Sequence, residues 1–302
     1  MKFTEKDKII FENLFYDARI STHKLAKIVK MKQPSVHARI KKLEKEGFIS
    51  RYDCLINPDT LPLIYKMYYT SLSKEHIQKI IKMPICFGLQ EIFGEYTHQI
   101  FCFFKNKKQI KTFEKQLPKK IIIQLLTHSH KLGGTIFDTE IQPEKQPIKK
   151  NKKIILDKTD IKLLHKMILG GARKTIVELA AELNKTCAVI KYRKKRLINN
   201  NYFLYFVAQP GEAFKSIKIS YHVFSLDENI NIKKITLLPR CIIAYSGEKT
   251  LTVIQLSFSF NDYLKHSNIL FRKLEPNTKN LQTFFINKPI ILNRLSEKLL
   301  IN

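Results

Sequence analysis

The chain carries 302 residues, 54 of them Lys or Arg against 26 Asp or Glu, for a formal net charge of +28. No apolar run reaches the roughly 18 residues of a membrane helix, and the opening Met1-Lys2-Phe3-Thr4-Glu5-Lys6-Asp7-Lys8 lacks the apolar core of a signal peptide. A cytoplasmic protein with a polyanionic partner is the expectation. The plain alternative is a Lys-, Ile- and Asn-rich composition set by an AT-rich genome, and charge placement decides between the two.

Thr4 with Asp7 has the form of an N-terminal capping box, and Ile10, Phe11 and Leu14 follow at helical spacing. Ser21 or Thr22 can cap a second helix carrying Leu25, Ile28 and Val29. Lys30-Met31-Lys32 makes a short turn into a third helix with its apolar seam at Val36, Ile40 and Leu43, ended by Gly47 as a left-handed stop. Two short helices, a tight turn and a third amphipathic helix are what a helix-turn-helix requires, and the third helix fits the major groove. The exposed side of that helix is expected to carry Gln33, Ser35, His37, Arg39, Lys41 and Lys42. Phe48 to Ile56 then reads as a strand, either a wing or the connection onward.

Strands are expected at Ile64–Leu72, Cys86–Phe93, Thr97–Phe104 and Ile121–Thr127, with helices at Lys74–Lys82 and Lys107–Leu117. Tyr65, Tyr68, Tyr69, Phe101, Phe103 and Phe104 read as sheet core or dimer surface rather than as a base-stacking platform. His128 and His130 share one face of a strand end, but no third ligand accompanies them, so no metal site is assigned. The five cysteines, Cys54, Cys86, Cys102, Cys187 and Cys241, are odd in number and form no Cys-x-x-Cys pair, which argues against a disulfide framework or a zinc ribbon. No cofactor is expected. Two prolines and a lysine cluster between Gln142 and Lys153 mark a linker.

Beyond it the chain repeats itself. Ala18-Arg19 and Leu25-Ala26 match Ala172-Arg173 and Leu179-Ala180 at a constant offset, Arg39 and Leu43 match Arg193 and Leu197, and Asp7 matches Asp160. Thr175 and Glu178 form a capping box, Thr186 can cap the third helix, and Asn201 replaces Gly47 as the stop. The candidates on the second reading helix are Lys191, Tyr192, Arg193, Lys194, Lys195 and Arg196. Further on, Met83-Pro84 and Cys86 match Leu238-Pro239 and Cys241, and Gly94-Glu95 matches Gly247-Glu248. Elements follow at Ile217–Phe224, Ile230–Leu238, Ile242–Ser246, Leu251–Phe258, Asp262–Phe271 and Leu281–Ile286.

These residues resemble the Lrp/AsnC (feast/famine) transcription regulators. The resemblance rests on Asp7 to Ile10, Asp17 to Ser21, Leu25-Ala26, Ser35 to His37, Arg39 to Glu44, Glu46 to Ile49 and Asn57-Pro58, with a thinner match in the second half. It implies an α+β fold in which each winged helix-turn-helix is followed by a ferredoxin-like βαββαβ domain of RAM type that dimerises. The plan is then 1–60 and 154–212 for the helix-turn-helix units, 61–140 and 213–302 for the RAM-like domains, and 141–153 for the linker. Family members often place an aspartate after a Gly-Glu-Tyr-like turn near a bound amino-acid effector. Thr97 and Thr250 stand there instead, so the effector and its residues are left open.

The expected function is transcription regulation, with double-stranded DNA as partner, nucleoid association, and an intrachain pseudo-dimer reading an asymmetric site. The first helix-turn-helix, rich in groups that bond base edges, is expected to give more specificity, and the second, rich in Lys and Arg, more affinity. The first alternative is a low-specificity architectural DNA-binding protein. The second is an enzyme acting on tetrapyrroles, as the siroheme decarboxylases of this fold do; no constellation of residues supports it, and the expectation is no enzyme. Self-association through the RAM-like domains is also expected.

Overall fold

The computed structural model describes residues 3–118, 121–126, 128–132, 135–137, 154–214, 217–226, 232, 235, 237–275 and 278–291. The linker expected at 141–153 and most of the element expected at Ile230–Leu238 lie outside them. Two compact units form, Met1–Asn57 with Gly133–Ile217, and Pro58–Leu132 with Lys218–Asn302. Each unit therefore joins like to like: two helix-turn-helix segments in one, two α+β segments in the other.

In the first unit, α1 (Glu5–Tyr16) starts at the Thr4–Asp7 capping box, α2 (Thr22–Ile28) is capped by Ser21, and α3 (Gln33–Lys45) ends before Gly47, whose φ is 75°. Ile10, Leu14, Leu25, Val36, Ile40 and Leu43 close a small core between them. Strand β1 (Ile49–Ile56) leaves this bundle. In the second half α6 (Lys158–Ile168), α7 (Ile176–Leu183) and α8 (Cys187–Asn199) repeat the pattern, followed by β7 (Phe203–Pro210). Asp157, with Asp160, makes the capping box of α6, at the counterparts of Thr4 and Asp7.

The segment expected at Phe48 to Ile56 pairs with its counterpart in the second half. β1 and β7 run antiparallel from Ile49 opposite Pro210 to Ile56 opposite Phe203. Each helical bundle then docks on the other half's strand. The amide of Ala18 donates to the carbonyl of Phe206, and the amide of Ala172 donates to the carbonyl of Tyr52. Arg19 lies 3.6 Å over the Phe206 ring and Arg173 lies 5.0 Å over the Tyr52 ring, cation–π contacts that explain why Ala-Arg recurs in the repeat. Phe3, Phe11 and Phe48 gather with Phe214 in edge and stacked contacts, so apolar surface from both halves is buried together.

The second unit contains β2 (Ile64–Thr70), α4 (Lys74–Ile80), β3 (Cys86–Phe93), β4 (His98–Phe104), α5 (Lys107–Glu114), β5 (Ile121–Leu126) and β6 (His128–Lys131) from the first half. The second half adds β8 (Lys218–Leu226), β9 (Cys241–Ser246), β10 (Thr250–Ser257), α9 (Phe260–Leu274) and β11 (Thr278–Ile291). Their strands make one sheet in the order β5-β2-β4-β3-β11-β8-β10-β9-β6. β11 joins the halves by pairing with β8 on one side and β3 on the other. One core gathers Tyr68, Ile80, Leu89, Cys102, Phe104 and Phe113 from the first half, and the other gathers Phe224, Val253, Leu251, Leu270 and Leu274 from the second. Tyr69, Gln99, Gln90 and Tyr221 are also buried, linked by hydrogen bonds that satisfy their polar ends, so the aromatics are sheet core as expected. His130 Nε2 lies 2.8 Å from Ser246 Oγ, and no group of three metal-ligating side chains occurs among the described residues. Cys187 is exposed, whereas Cys54, Cys86, Cys102 and Cys241 are buried. No helix among the described residues is long and apolar enough to cross a membrane.

Candidate nucleic-acid interface

The position of α3 is set by an ion pair to α1. Arg39 Nη1 lies 2.7 Å from Asp7 Oδ1 and 3.2 Å from Thr4 Oγ1, with the Asp7 side chain fully buried. Burial pushes the Asp7 carboxyl up, but hydrogen bonds from Thr4 and Arg39 outweigh it and hold the group below the usual carboxylate range. The second half doubles this anchor. Arg193 Nη1 sits 2.6 Å from Asp157 Oδ2 and 3.0 Å from Asp160 Oδ1, and Arg196 Nη2 also donates to Asp160. The hydrogen bond to Asp157 raises the Arg193 guanidinium further above its usual range. Lys194 is half-buried and donates to the Lys174 carbonyl at 3.2 Å; burial draws its ammonium below the usual lysine range.

Four residues expected on the reading faces are thus engaged within their own unit: Arg39, Arg193, Lys194 and Arg196. The repeat contained the signal. Asp7 with Arg39 and Asp160 with Arg193 recur together because each arginine closes on its buried carboxylate. A basic residue at helical spacing was read as outward when its partner carboxylate stood in a helix more than thirty positions earlier.

What remains outward differs between the halves. On α3 the exposed residues are Gln33, Pro34, Ser35, His37, Ala38, Lys41, Lys42 and Lys45. Gln33 donates to Thr22 Oγ1 at 3.1 Å, and Lys41 and Lys42 pair with Glu44 and Glu46 along the helix. The edge formed by α2 and the turn adds His23, Lys24, Lys27, Lys30 and Lys32, all exposed, around a shallow hollow floored by Ala26 and Met31. Sequence reading of the third helix alone missed this edge, although four lysines within nine residues were its signal. On α8 the exposed residues are Cys187, Ala188, Val189, Lys191, Tyr192, Lys195 and Asn199, and the exposed positions on the edge of α7 and its turn hold Val177, Glu178, Ala181, Asn184, Thr186 and a single lysine, Lys185. Glu178 is tied to Thr175 in its capping box, and Glu182 pairs with Lys166 and Lys174.

Helix-turn-helix proteins lay the second helix of the motif across the DNA backbone and the third in the groove. A winged helix-turn-helix DNA-binding family profile matches residues 3–50. An uncharacterized HTH-type transcriptional regulator of Pyrococcus abyssi is 30% identical over 118 residues, which cover 37% of this chain and 79% of that protein. The HTH-type transcriptional regulator FL11 of Pyrococcus furiosus is 27% identical over 112 residues, covering 35% of this chain and 74% of its own. The chain belongs to the Lrp/AsnC family. It is a DNA-binding transcriptional regulator by family, with the unit these regulators carry once present here twice. Along its whole length the fold is shared with the siroheme decarboxylase NirDL in complex with an iron-uroporphyrin III analogue, at a TM-score of 0.58 and 10% identity, over 98% of this chain and 96% of that one. The expectation that the chain is no enzyme is corrected by this match, because the tandem Lrp/AsnC architecture is also that of an enzyme. At such identity the likeness is one of fold alone.

Proposed function

We propose that this Lrp/AsnC protein regulates transcription as an intrachain pseudo-dimer that reads an asymmetric duplex site and associates with the nucleoid. The observation that carries the reading is the antiparallel pairing of β1 with β7, which yokes two helix-turn-helix units of different outer chemistry in one polypeptide. The first unit supplies phosphate contacts through Lys24, Lys27, Lys30 and Lys32 and base-edge contacts through Gln33, Ser35 and His37. Lys41 and Lys42 add charge on the same helix. Lys185, Lys191 and Lys195 are the cations with which the second helix-turn-helix approaches the duplex. Arg39, Arg193 and Arg196 act by positioning the reading helices. Further self-association through the RAM-like domains belongs to the same proposal.

Fluorescence-anisotropy binding to a selected duplex and to random duplex, across a salt series, tests it. Tight binding to an asymmetric selected sequence beyond random DNA supports a specific regulator. Equal, steeply salt-dependent binding to both supports the architectural alternative instead. Failure to bind either duplex overturns the DNA-binding reading. An absorbance titration with an iron porphyrin, run beside it, asks whether the fold shared with siroheme decarboxylase extends to a tetrapyrrole ligand.

A further inference from the structure

The first turns of α8 are more apolar than those of α3. Cys187, Val189 and Tyr192 stand at the positions of Gln33, Ser35 and Ala38, and Ala188 at that of Pro34. Tyr192 is 66% exposed and Val189 36%, on a helix whose arginines are turned inward. A helix face that has Cys187 and Val189 in place of Gln33 and Ser35 keeps only Lys191, Lys195 and the Tyr192 hydroxyl for hydrogen bonds to base edges. It can read the one apolar feature the major groove presents, the C5-methyl group of thymine. Lys191 and Lys195 lie on the same exposed face and keep it suited to a polyanion rather than to an apolar protein surface.

We infer that the second helix-turn-helix recognises a thymine-rich half-site through its methyl groups, with Val189 and Tyr192 as the specificity-determining residues. This rests on the DNA-binding reading above and adds to it the base chemistry of one half-site. The division of labour expected from sequence then changes. The lysine-rich edge places the stronger phosphate grip on the first unit, and the second contributes discrimination by apolar contact.

The test uses the full chain and a selected duplex in which single thymines are replaced by deoxyuridine, walked across both half-sites. Deoxyuridine keeps the pairing edge and the O4 acceptor and removes only the methyl group. Wild-type affinity should fall about fourfold at each methyl position contacted, the effect of withdrawing one methyl-sized apolar group from burial. These positions should cluster in one half-site. A V189S/Y192S double variant, altered only at exposed positions and checked for an unchanged Tm, should be indifferent to the replacement there. Selective binding with no deoxyuridine effect in either half-site overturns the inference and leaves the regulator reading intact. So does a deoxyuridine effect that persists in the double variant. A change in the sedimentation of the free double variant without any deoxyuridine effect would assign the face to protein contact and also overturn it. Absence of binding to every duplex removes the regulator reading itself.

Discussion

Lys30 and Asn184 occupy the same left-handed turn, with φ of 51° and 50°, yet one is part of a lysine-rich edge and the other is neutral. Around them the two helix-turn-helix units agree at most positions where the backbone or the packing makes a demand, with buried Ile40 against half-buried Lys194 as an exception. Val36 and Ile190 are both buried, as are Leu43 and Leu197, and Gly47 and Asn201 both take positive φ. They disagree at most outward positions, although Lys41 and Lys195 correspond. The difference teaches that duplication kept the scaffold and released the surface, so the surface carries the functional distinction.

The largest effects should come from the anchors of the reading helices. Asp160 receives two arginines and Asp7 one, so D160A removes more charge-assisted hydrogen bonds, even though Arg193 keeps Asp157. D7A should cost about 3 kcal/mol and D160A about 5 kcal/mol by denaturant unfolding, within the range for breaking a buried pair from one side. Equal costs would show that the second anchor adds nothing. R39A should weaken DNA binding evenly across sequences, since the guanidinium positions the helix; relaxed preference at one base pair would return it to the reading face. Acid should report the same anchors. The Asp7 and Asp157 carboxyls lie below 3.8 when folded, so the stability they contribute is complete above that pH and lost as pH falls below it. D7N and D157N should flatten the stability loss below about pH 4 in an acid-unfolding series.

Charge on the edges comes next. K27E/K30E should lower duplex affinity about 100-fold near 0.1 M salt and reduce the salt slope by about 2, whereas A181E/N184E should change affinity less than about threefold. Similar losses from both would erase the proposed asymmetry of phosphate grip. Helix capping offers a smaller contrast. Lys32 precedes α3 without a side-chain cap, whereas Thr186 accepts from the Val189 amide at 3.3 Å. K32S should stabilise the first unit by about 1 kcal/mol and T186A should destabilise the second by about as much, measured as opposite shifts in Tm. K32S should at the same time weaken DNA binding, which separates the cap from the cation. Smallest are the left-handed stops: G47A should cost about 1 kcal/mol, and N201G should change stability by only a few tenths.

Much of this architecture was legible because it rests on local rules. The capping residues Thr4, Ser21, Thr175 and Thr186, the stops at Gly47 and Asn201, and, outside Ile230–Leu238, the strand and helix periods of the α+β segments fall where periodicity and turn chemistry put them. Partner choice was not legible. Strand patterning says that Ile49–Ile56 and Phe203–Pro210 are extended, but not that they pair with each other, because register depends on contacts 147 to 161 positions apart. Nor does the strand end at His128 and His130 say that β6 pairs with β9 of the other half. At the candidate interface the outward helix face was found, but the direction of Arg39, Arg193 and Arg196 depends on carboxylates in another helix. A helical wheel of α3 or α8 alone does not contain that information.

The pairing of β1 with β7 has one more consequence. In a dimer of separate chains, dilution loosens the two strands and related subunits can trade places. Within one polypeptide the strands meet at an effective concentration in the millimolar range, whatever the copy number of the protein. The two reading heads are therefore present in a fixed one-to-one ratio and exclude mixed partners. Each can also accumulate its own substitutions, since a change in one gene segment is no longer imposed on both halves of the pair.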